Sequence, residues 1–438
     1  MATENKTEQK KSALNIPAFW KAQKLDWRVT VVRTSLERFG YKMVLPYLTL
    51  YVTLLGATKT QIGYLTSIGL ILSAFIGPIA GQMIDRYGPK RIYIIGISVL
   101  IGGYLAFASA PVWQVAAIGV ILHQVGRGIS GQGCATVCGN CLANCDRAKG
   151  MLICESLAAG LLGMIGPMIS GWVLVNIMKV EGAVTNPNDI RPLFFITLSI
   201  TVISLLVVIF KLSSVNWGSG NKRAKHSIIK DGIAILKADK NCVKWIFIAA
   251  VGGMPLALVT PYVSLYAAEV RHASARTLAA MGTATAFTSI MFGYFFGILS
   301  DKYGRKKVLL TTIIFYLIGL TILVTTKRTS PMVVVLLVAV GICQGFQEIG
   351  ASISGSISFE LVPGKVMGRW NGVNRAFTAL FSAAVAAAAG YIYDNIGGQW
   401  VFIIYIACEL LIRIPLLLTL PETLHYKVNE EAFASLDE

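Results

Sequence analysis

Two loops of nearly the same composition divide this chain into repeating halves. Residues 81–91 read GQMIDRYGPKR, and residues 297–307 read GILSDKYGRKK. Each of these hinge loops joins two long apolar segments, the second and third of its half. Gly88 and Gly304 suit a tight reversal, because glycine adopts backbone conformations that other residues avoid. A chain that repeats such a loop halfway along its length is expected to fold as two equivalent helical bundles.

The composition indicates that most of the chain lies in lipid. Hydrophobic residues make up 55% of it, charged residues only 14%, and the mean hydropathy is +0.65, whereas about 25% charge is usual in soluble domains. The 438 residues suffice for twelve spans of roughly 20 residues each. Only helices suit such spans, because backbone polar groups in hydrocarbon must be satisfied internally. We expect an all-α integral membrane protein.

The apolar runs predict two sets of six spans separated by a polar connector. We assign residues 1–27 to an N-terminal tail, 28–213 to a first bundle, 214–242 to a linker with an amphipathic surface helix, 243–420 to a second bundle and 421–438 to a C-terminal tail. The predicted spans are 28–55, 60–84, 92–110, 112–141, 151–177, 192–213, 243–268, 276–300, 308–326, 331–359, 369–393 and 399–420.

The formal net charge of +17 follows the membrane topology. Most of the 39 Lys and Arg residues fall in the tails and on the side of the membrane that carries both hinge loops. Cytoplasmic loops are rich in Lys and Arg, so both termini are predicted to be cytoplasmic, in a plasma or inner membrane. The same charge favours contact with anionic lipids, and this distribution argues against nucleic acid as a partner.

The hinge loops resemble the signature loop of the major facilitator superfamily, a family of secondary transporters, which reads Gly-x-x-x-Asp-Arg/Lys-x-Gly, followed by basic residues. The resemblance implies a twelve-helix fold of two pseudo-symmetric six-helix bundles that works by alternating access. In that family the loop latches the two halves on the cytoplasmic side. Here Asp85 would contact the helix start near residue 368, and Asp301 the one near residue 149.

The alternative is a turn that only fixes topology. The gating residues implied by the resemblance are Asp85, Arg86, Gly88, Arg91, Asp301, Lys302, Gly304 and Lys307. At nearby helix ends, Asp146, Arg147 and Glu155 are candidates for salt bridges between the halves that break on opening.

Charged side chains of the first predicted span are candidates for proton binding. Arg33, Glu37, Arg38 and Lys42 all lie there, and a charge at mid-membrane costs about 3 kcal/mol on insertion scales. Arg33 and Glu37 can pair, because residues four apart share a helix face. Drug/proton antiporters of the family carry an acidic residue in this helix, and Glu37-Arg38-Phe39 resembles the Glu-Arg-Phe of proton-coupled oligopeptide transporters. Glu37 is therefore either a proton carrier or half of a static pair.

Arg127 lies near the middle of the fourth span, close to Gln124. It matches an arginine that many members of the family place in this helix. Three roles are open: it binds an anionic group of the substrate, pairs with Glu37, or braces its own helix.

The tenth span carries Gln344 and Glu348. Glu348 has no basic neighbour in its own helix, so it either binds a proton or a cation, or pairs with Arg375 of the eleventh span. Spans 1, 4, 7 and 10 are expected to line the central cavity. Tyr262 of the seventh span supplies aromatic surface there, and Asn374 lies at the cytoplasmic mouth.

Two further elements bear on the architecture. Glu409 and Arg413 of the twelfth span are four residues apart and form a structural, self-neutralising pair. In the fifth span, Gly166 and Pro167 predict close packing and a bend. With the glycines around them they resemble the glycine-proline element that marks drug/proton antiporters, which favours antiport over symport.

The cysteines at 134, 138, 141 and 145 follow helical spacing along one stripe. We interpret them as packing residues, with soft-metal binding or redox sensing as the alternative. No metal or cofactor is expected, and no Gly-x4-Gly-Lys-Ser/Thr loop occurs in the sequence, so ATP is not the expected energy source.

The sequence as a whole predicts a monomeric transporter, not an enzyme, whose partners are protons and a small-molecule substrate. Proton-coupled export of a small organic compound is the first hypothesis. A proton-coupled importer or an organic-anion exchanger is the alternative within transport. A receptor that has kept the fold, or a membrane metal or redox protein, is the alternative from other classes.

Overall fold

The computed structural model describes residues 16–142, 154, 159–214, 234–327, 332–363 and 366–424. Within these ranges each predicted span has a helical counterpart, which we number α1 to α12. They are α1 (Leu25–Leu54), α2 (Lys59–Tyr87), α3 (Pro89–Ser109), α4 (Trp113–Cys141), α5 (Ala159–Trp172 and Val173–Ile177), α6 (Pro187–Lys211), α7 (Lys240–Met254, Pro255–Val259 and Thr260–Glu269), α8 (Ala275–Tyr303), α9 (Arg305–Thr325), α10 (Val333–Glu360), α11 (Met367–Asn395) and α12 (Gly398–Cys408, Glu409–Arg413 and Ile414–Thr419).

The all-helical, membrane-spanning architecture agrees with the sequence. By length and composition alone, nine helical spans of the described part are apolar enough to cross a membrane. Large apolar side chains such as Phe210 and Leu411 remain 75% and 76% exposed. In a soluble protein such side chains would be buried, but on the outer faces of a bundle in lipid they meet a solvent as apolar as themselves.

The repeat of the two halves extends beyond the hinge loops. Helices α2 and α8 are both 29 residues long, and α3 and α9 are both 21. Thr58 caps α2 and Ser274 caps α8, each accepting a hydrogen bond from the third residue of its helix. Gly88 and Gly304 lie at the hinge loops with φ of 82° and 105°, the region in which glycine is favoured. Their predicted role as tight reversals is confirmed.

Three of the twelve described helices, α5, α7 and α12, contain a π-helical turn, in which one extra residue is accommodated. In α7 this turn is Pro255–Val259, which begins at a proline and is followed by Pro261. Proline removes a backbone hydrogen bond, so the irregularity of α7 has a direct cause in the sequence. In α5 the π-helical turn, Val173–Ile177, begins six residues after Pro167.

We call the membrane face that carries the hinge loops the loop side and the opposite face the far side. The largest buried apolar cluster joins the two bundles, and it includes Tyr47 and Tyr51 of α1 with Tyr262 and Tyr266 of α7. A smaller cluster around Trp27 closes the loop side of the first bundle.

The end of the predicted N-terminal tail belongs to this smaller cluster. Residues Ile16–Ala22 form a short helix, and Phe19 and Trp20 pack edge-on against Trp27, with ring centroids 5.7 and 5.4 Å apart. The predicted linker helix lies mostly outside the described residues.

Candidate functional site

An ion pair joins the two bundles at mid-depth. Lys42 of α1 donates a hydrogen bond from Nζ to Oε1 of Glu348 in α10. The Lys42 side chain is 15% exposed and that of Glu348 is 37% exposed, so the carboxylate remains accessible. Ser289 of α8 is placed to hydrogen-bond the same carboxylate, and the charge of Arg38 acts on it.

Lys42 is the partner of Glu348 that sequence reasoning missed. Arg375, the predicted partner, is exposed on α11, and among the described residues no carboxylate pairs with it. Lys42 and Glu348 are 306 residues apart. Their pairing follows from how the bundles face each other, for which no local spacing rule exists. The one available signal was an unpaired lysine in the first span.

The predicted pair of Arg33 and Glu37 is present within α1. The Arg33 side chain is only 2% exposed, and its guanidinium carbon lies 4.5 Å from the centroid of the Tyr93 ring in α3. Arg33 is thus held within the first bundle by an ion pair and a cation–π contact. The Glu37 carboxylate binds Arg33, and among the described residues it forms no ion pair with Arg127, which was one of three roles open for that arginine.

Arg127 of α4 lies against aromatic rings. Its guanidinium carbon is 4.5 Å from the centroid of the Tyr41 ring in α1. Tyr41 stacks on His123 at 5.0 Å, and His123 meets Tyr104 of α3 edge-on at 5.6 Å. Within the described residues no carboxylate pairs with Arg127 and no acceptor oxygen binds it. Among the described residues, the Tyr41 ring is the group that stabilises its charge.

Gln124, one turn before Arg127, faces a different helix. A Cβ placed on Gly69 of α2 would lie 2.9 Å from Cγ of Gln124. The glutamine therefore packs closely on α2, inside its own bundle.

Two of the predicted site residues in the second bundle join neighbouring helices. Gln344 of α10 accepts a hydrogen bond from the Thr285 hydroxyl of α8 at 3.4 Å. The side-chain amide of Asn374 donates to the Ser358 hydroxyl at 3.3 Å, which links α11 to α10 on the loop side. These contacts lie within one bundle, so they fix the helices that carry Glu348.

Tyr262 is part of the far-side contact and does not line the central space. Its side chain is 1% exposed. The hydroxyl donates to the carbonyl oxygen of Lys59 in the other bundle at 3.3 Å, and the ring stacks on Tyr393 of α11 at 5.3 Å. The expectation that Tyr262 faces the substrate is corrected by this burial.

The far side is closed by polar contacts between the bundles. Asp394 of α11 accepts hydrogen bonds from the backbone N–H and the hydroxyl of Thr60, both at 2.7 Å, in the first turn of α2. Lys59 forms an ion pair with Glu269 of α7 at 3.1 Å. Tyr47 of α1 donates to the carbonyl oxygen of Ala275 in α8 at 2.8 Å. The ion pair of Lys42 and Glu348 therefore lies beneath a sealed far face.

On the loop side, Asp301 contacts its own bundle. It forms an ion pair with Arg305 at 3.1 Å, and Arg305 also binds Glu360 of α10 at 2.5 Å. Glu422, which follows α12, accepts a hydrogen bond from the backbone N–H of Arg305 at 2.8 Å. A carboxylate at the start of a helix neutralises free N–H groups, so Glu422 fixes the second hinge loop to the end of α12.

The predicted latch contacts themselves lie outside the described part of the chain. This holds for the Asp85 side chain, for the helix start near residue 149, and for Asp146, Arg147 and Glu155. Among the basic residues of the loops, Arg86 and Arg91 lie 5.2 and 6.0 Å from the ring of Tyr87, and Lys302 lies 5.3 Å from that of Tyr303. Lys307 is exposed.

Gly166 and Pro167 pack in two directions. A Cβ on Gly166 would lie 2.8 Å from the carbonyl oxygen of Phe39 in α1, so this glycine brings α5 close to its own bundle. A Cβ on Gly282 of α8 would lie 3.1 Å from the ring of Pro167, so the proline faces the second bundle.

Of the cysteine stripe, only Cys141 has a described side chain, and it is buried. No group of three or more His, Cys, Asp or Glu residues in the described ranges could hold a metal ion.

Two bundles of equivalent helices, a polar mid-depth contact between them and a sealed far face define the architecture of a carrier. The family model described as Major Facilitator Superfamily matches residues 34–282 and 245–435. The chain therefore belongs to the major facilitator superfamily of transporters.

Relatives and solved structures agree with this assignment. The chain is 22% identical over 310 residues to the multidrug resistance protein MdtG of Escherichia coli. The matched region covers 66% of this chain and 71% of the relative. The fold is similar to that of the D-xylose-proton symporter (TM-score 0.71, 14% identity, 92% of this chain and 99% of that one). It is also similar to that of the nucleoside transporter NupG (TM-score 0.68, 14% identity, 92% and 100%).

Proposed function

We propose that this chain is a proton-coupled carrier that moves a small organic solute across the membrane by alternating access. The observation that carries the proposal is the ion pair of Lys42 and Glu348. It joins the bundles at the depth where a carrier binds its solute, and one of its members is an accessible carboxylate.

A proton on Glu348 changes the contact between the bundles. The ionised carboxylate attracts Lys42 and holds α1 beside α10. Protonation removes this attraction, so the two helices separate at a lower free-energy cost. An unpaired charge at this depth costs about 3 kcal/mol. Lys42 is therefore more stable if another partner replaces Glu348 when the ion pair opens. Proton binding is thereby coupled to the relative position of the halves.

Export by antiport is the direction we propose first. The relative named above is a multidrug resistance protein, and the Gly166-Pro167 element resembles that of drug/proton antiporters. In antiport, solute and proton occupy the central site in turn. A single ion pair that opens when either of them binds permits this exchange.

Symport is the second candidate, and one observation favours it. In the described residues Arg38 and Arg127 have no carboxylate partner, and a protonated Glu348 increases the positive charge at the centre. An anionic solute would then bind best together with a proton. A solved structure of similar fold is that of a D-xylose-proton symporter.

The orientation proposed is multi-pass in a plasma or inner membrane, with the loop side and both termini in the cytoplasm. The excess of Lys and Arg on the loop side supports it. We further propose that the carrier works as a monomer, with the cavity between its own two bundles, in contact with anionic lipids through its basic loops.

The test uses inside-out vesicles acidified within and a pH-reporting dye. A panel of lipophilic cations, neutral sugars and nucleosides, and aromatic acids is added outside. Native protein is compared with Glu348→Gln, Glu37→Gln and the control Glu360→Gln, whose carboxylate binds Arg305 on the loop side. We expect a compound that dissipates the gradient with native protein and the control, but not with Glu348→Gln.

Each other result has a definite meaning. A compound that deepens the acidification shows symport, and the export proposal is then wrong. Loss of coupling in Glu37→Gln alone would move the proton site to α1. Gradient changes that are identical in all four proteins would refute a role for Glu348.

A further inference from the structure

Among the described residues, the charges at mid-depth are unbalanced. Arg33 is matched with Glu37, and Lys42 with Glu348. In the described part of the chain, no carboxylate is left for the guanidinium groups of Arg38 and Arg127. The Arg38 side chain is exposed and that of Arg127 is half-buried, and a cation at this depth is costly where neither an anion nor water reaches it. Arg38 and Arg127 of the first bundle therefore form no ion pair with any described residue.

Arg38 lies on the face of α1 that meets the second bundle. Arg38, Lys42 and Pro46 are spaced by four residues and share one face of α1. Lys42 on this face reaches Glu348 of α10, and Pro46 on it packs beside Gly282 of α8. The face of Arg38 thus points to the second bundle, and its charge acts on Glu348.

Arg127 reaches α1 from α4, within the first bundle. Its ring partner Tyr41 directly precedes Lys42 in α1. The stack of Arg127, Tyr41 and His123 fixes the position of the guanidinium group without using its N–H donors. Five donors in a planar fork fit a carboxylate or a phosphate, which accept two parallel hydrogen bonds. Stacking on an aromatic ring holds this fork ready for a ligand.

We propose that the solute of this carrier is an organic anion whose carboxylate or phosphate binds Arg127, with Arg38 as the second cation of the site. The inference rests on the proposed transport function and names the chemical class of its solute. The two arginines obtain their counter-ion from the solute, and Tyr41 supplies the surface beneath the anionic group. A solute without an acidic group would leave both charges unmatched.

The test measures binding and does not depend on transport. Benzoate, its neutral amide benzamide and the cation benzamidinium have nearly the same shape and differ in charge. Each is titrated into purified full-length protein at constant ionic strength, and the unfolding temperature is followed by tryptophan fluorescence. Ligands that bind the folded state raise this temperature. We expect benzoate to raise it and the other two probes to have little effect.

Variants locate the site. Arg127→Gln should weaken benzoate binding by about tenfold or more, because a hydrogen bond to a charged group contributes roughly 1.5–3 kcal/mol. Arg127→Lys should retain part of the affinity, since it keeps the charge but loses the planar fork. The control is Arg276→Gln, an exposed arginine at the far-side start of α8, which should bind benzoate as the native protein does.

The outcomes separate the inference from the proposed function. Equal stabilisation by benzamidinium and benzoate, or no stabilisation by benzoate, would refute the proposal that the solute is an anion. Transport of a cation driven by the proton gradient would still support the proposed carrier function. Benzoate binding that Arg127→Gln does not change would also overturn the site. If benzoate binding depends on Arg127 but no compound changes the proton gradient in the vesicle experiment, the binding site is supported and proton coupling is refuted.

Discussion

Gly63 of α2 and Gly390 of α11 bring the backbones of the two bundles into direct contact on the far side. A Cβ placed on Gly63 would lie 3.1 Å from the Cα of Gly390, and one on Gly390 would lie 2.9 Å from the Cα of Thr60. Distances this short leave no room for a side chain at either position. The far-side seal therefore depends on the absence of a side chain at Gly63 and at Gly390, as well as on its polar contacts.

Gly390→Ala should shift the carrier towards states that are open on the far side. The added methyl group meets the backbone of Lys59 and Thr60, and overpacking of this kind costs about 1–3 kcal/mol. The cost applies only while the bundles touch. Spin labels at Val112 and Ile396, exposed positions of the two halves on the far side, should show longer distances in the variant.

The matched control for this experiment is Gly372→Ala in the same helix. A Cβ at Gly372 meets nothing within 4 Å, so the label distances should stay as in the native protein. Equal distances in both variants and the native protein would mean that the contact of α2 with α11 does not determine closure.

Asp394→Ala should also weaken the far-side seal, but less. The carboxylate accepts two hydrogen bonds in the first turn of α2, and an exposed cap of this kind contributes about 1 kcal/mol. We expect the open fraction in the same label experiment to rise by roughly two- to fivefold, with Asp394→Asn in between. Asp189→Ala, in the first turn of α6, removes a far-side carboxylate within one bundle and should have no effect.

The helices and their order could be predicted from the sequence, because both depend on local information. Long apolar runs predict where the helices lie, and Gly88 and Gly304 predict where the hinge loops reverse. The pair of Arg33 and Glu37 was predictable for the same reason, since four-residue spacing fixes its geometry.

The contacts between the bundles could not be predicted in this way. Thr60 and Asp394 are 334 residues apart, and Lys42 and Glu348 are 306 apart. Such pairs depend on the rotation of each helix about its axis and on how the halves face each other. Tyr262 shows the consequence: its helix was correctly predicted, but its side chain faces the far-side seal.

Glu409 and Arg413 should contribute strongly to stability. Glu409 is fully buried and Arg413 is 6% exposed. Nη1 of Arg413 lies 2.8 Å from Oε1 of Glu409, and Nη2 of Arg413 lies 3.3 Å from the Ser354 hydroxyl of α10. Removing one partner of a buried ion pair typically costs 3–5 kcal/mol, because the other charge is left alone. Glu409→Gln and Arg413→Met should each lower the unfolding temperature sharply in detergent.

The double variant provides the control for this prediction. With both charges removed, no isolated ion remains, and apolar replacements of buried pairs are often well tolerated. Glu409→Leu combined with Arg413→Met should therefore unfold at a higher temperature than either single variant. Additive losses in the double variant would contradict the structural role assigned to the pair.

Exchanging the two charges of the central ion pair should restore what each single exchange removes. Lys42→Glu places two carboxylates at mid-depth, and Glu348→Lys places two ammonium groups there, so each single variant suffers like-charge repulsion. The double variant again has one group of each sign. We expect its unfolding temperature to exceed that of both single variants, with a coupling energy of about 1 kcal/mol for a half-buried pair. If the double variant is as unstable as the two losses added together, Lys42 and Glu348 do not contact each other in the protein, and the proton site needs another partner.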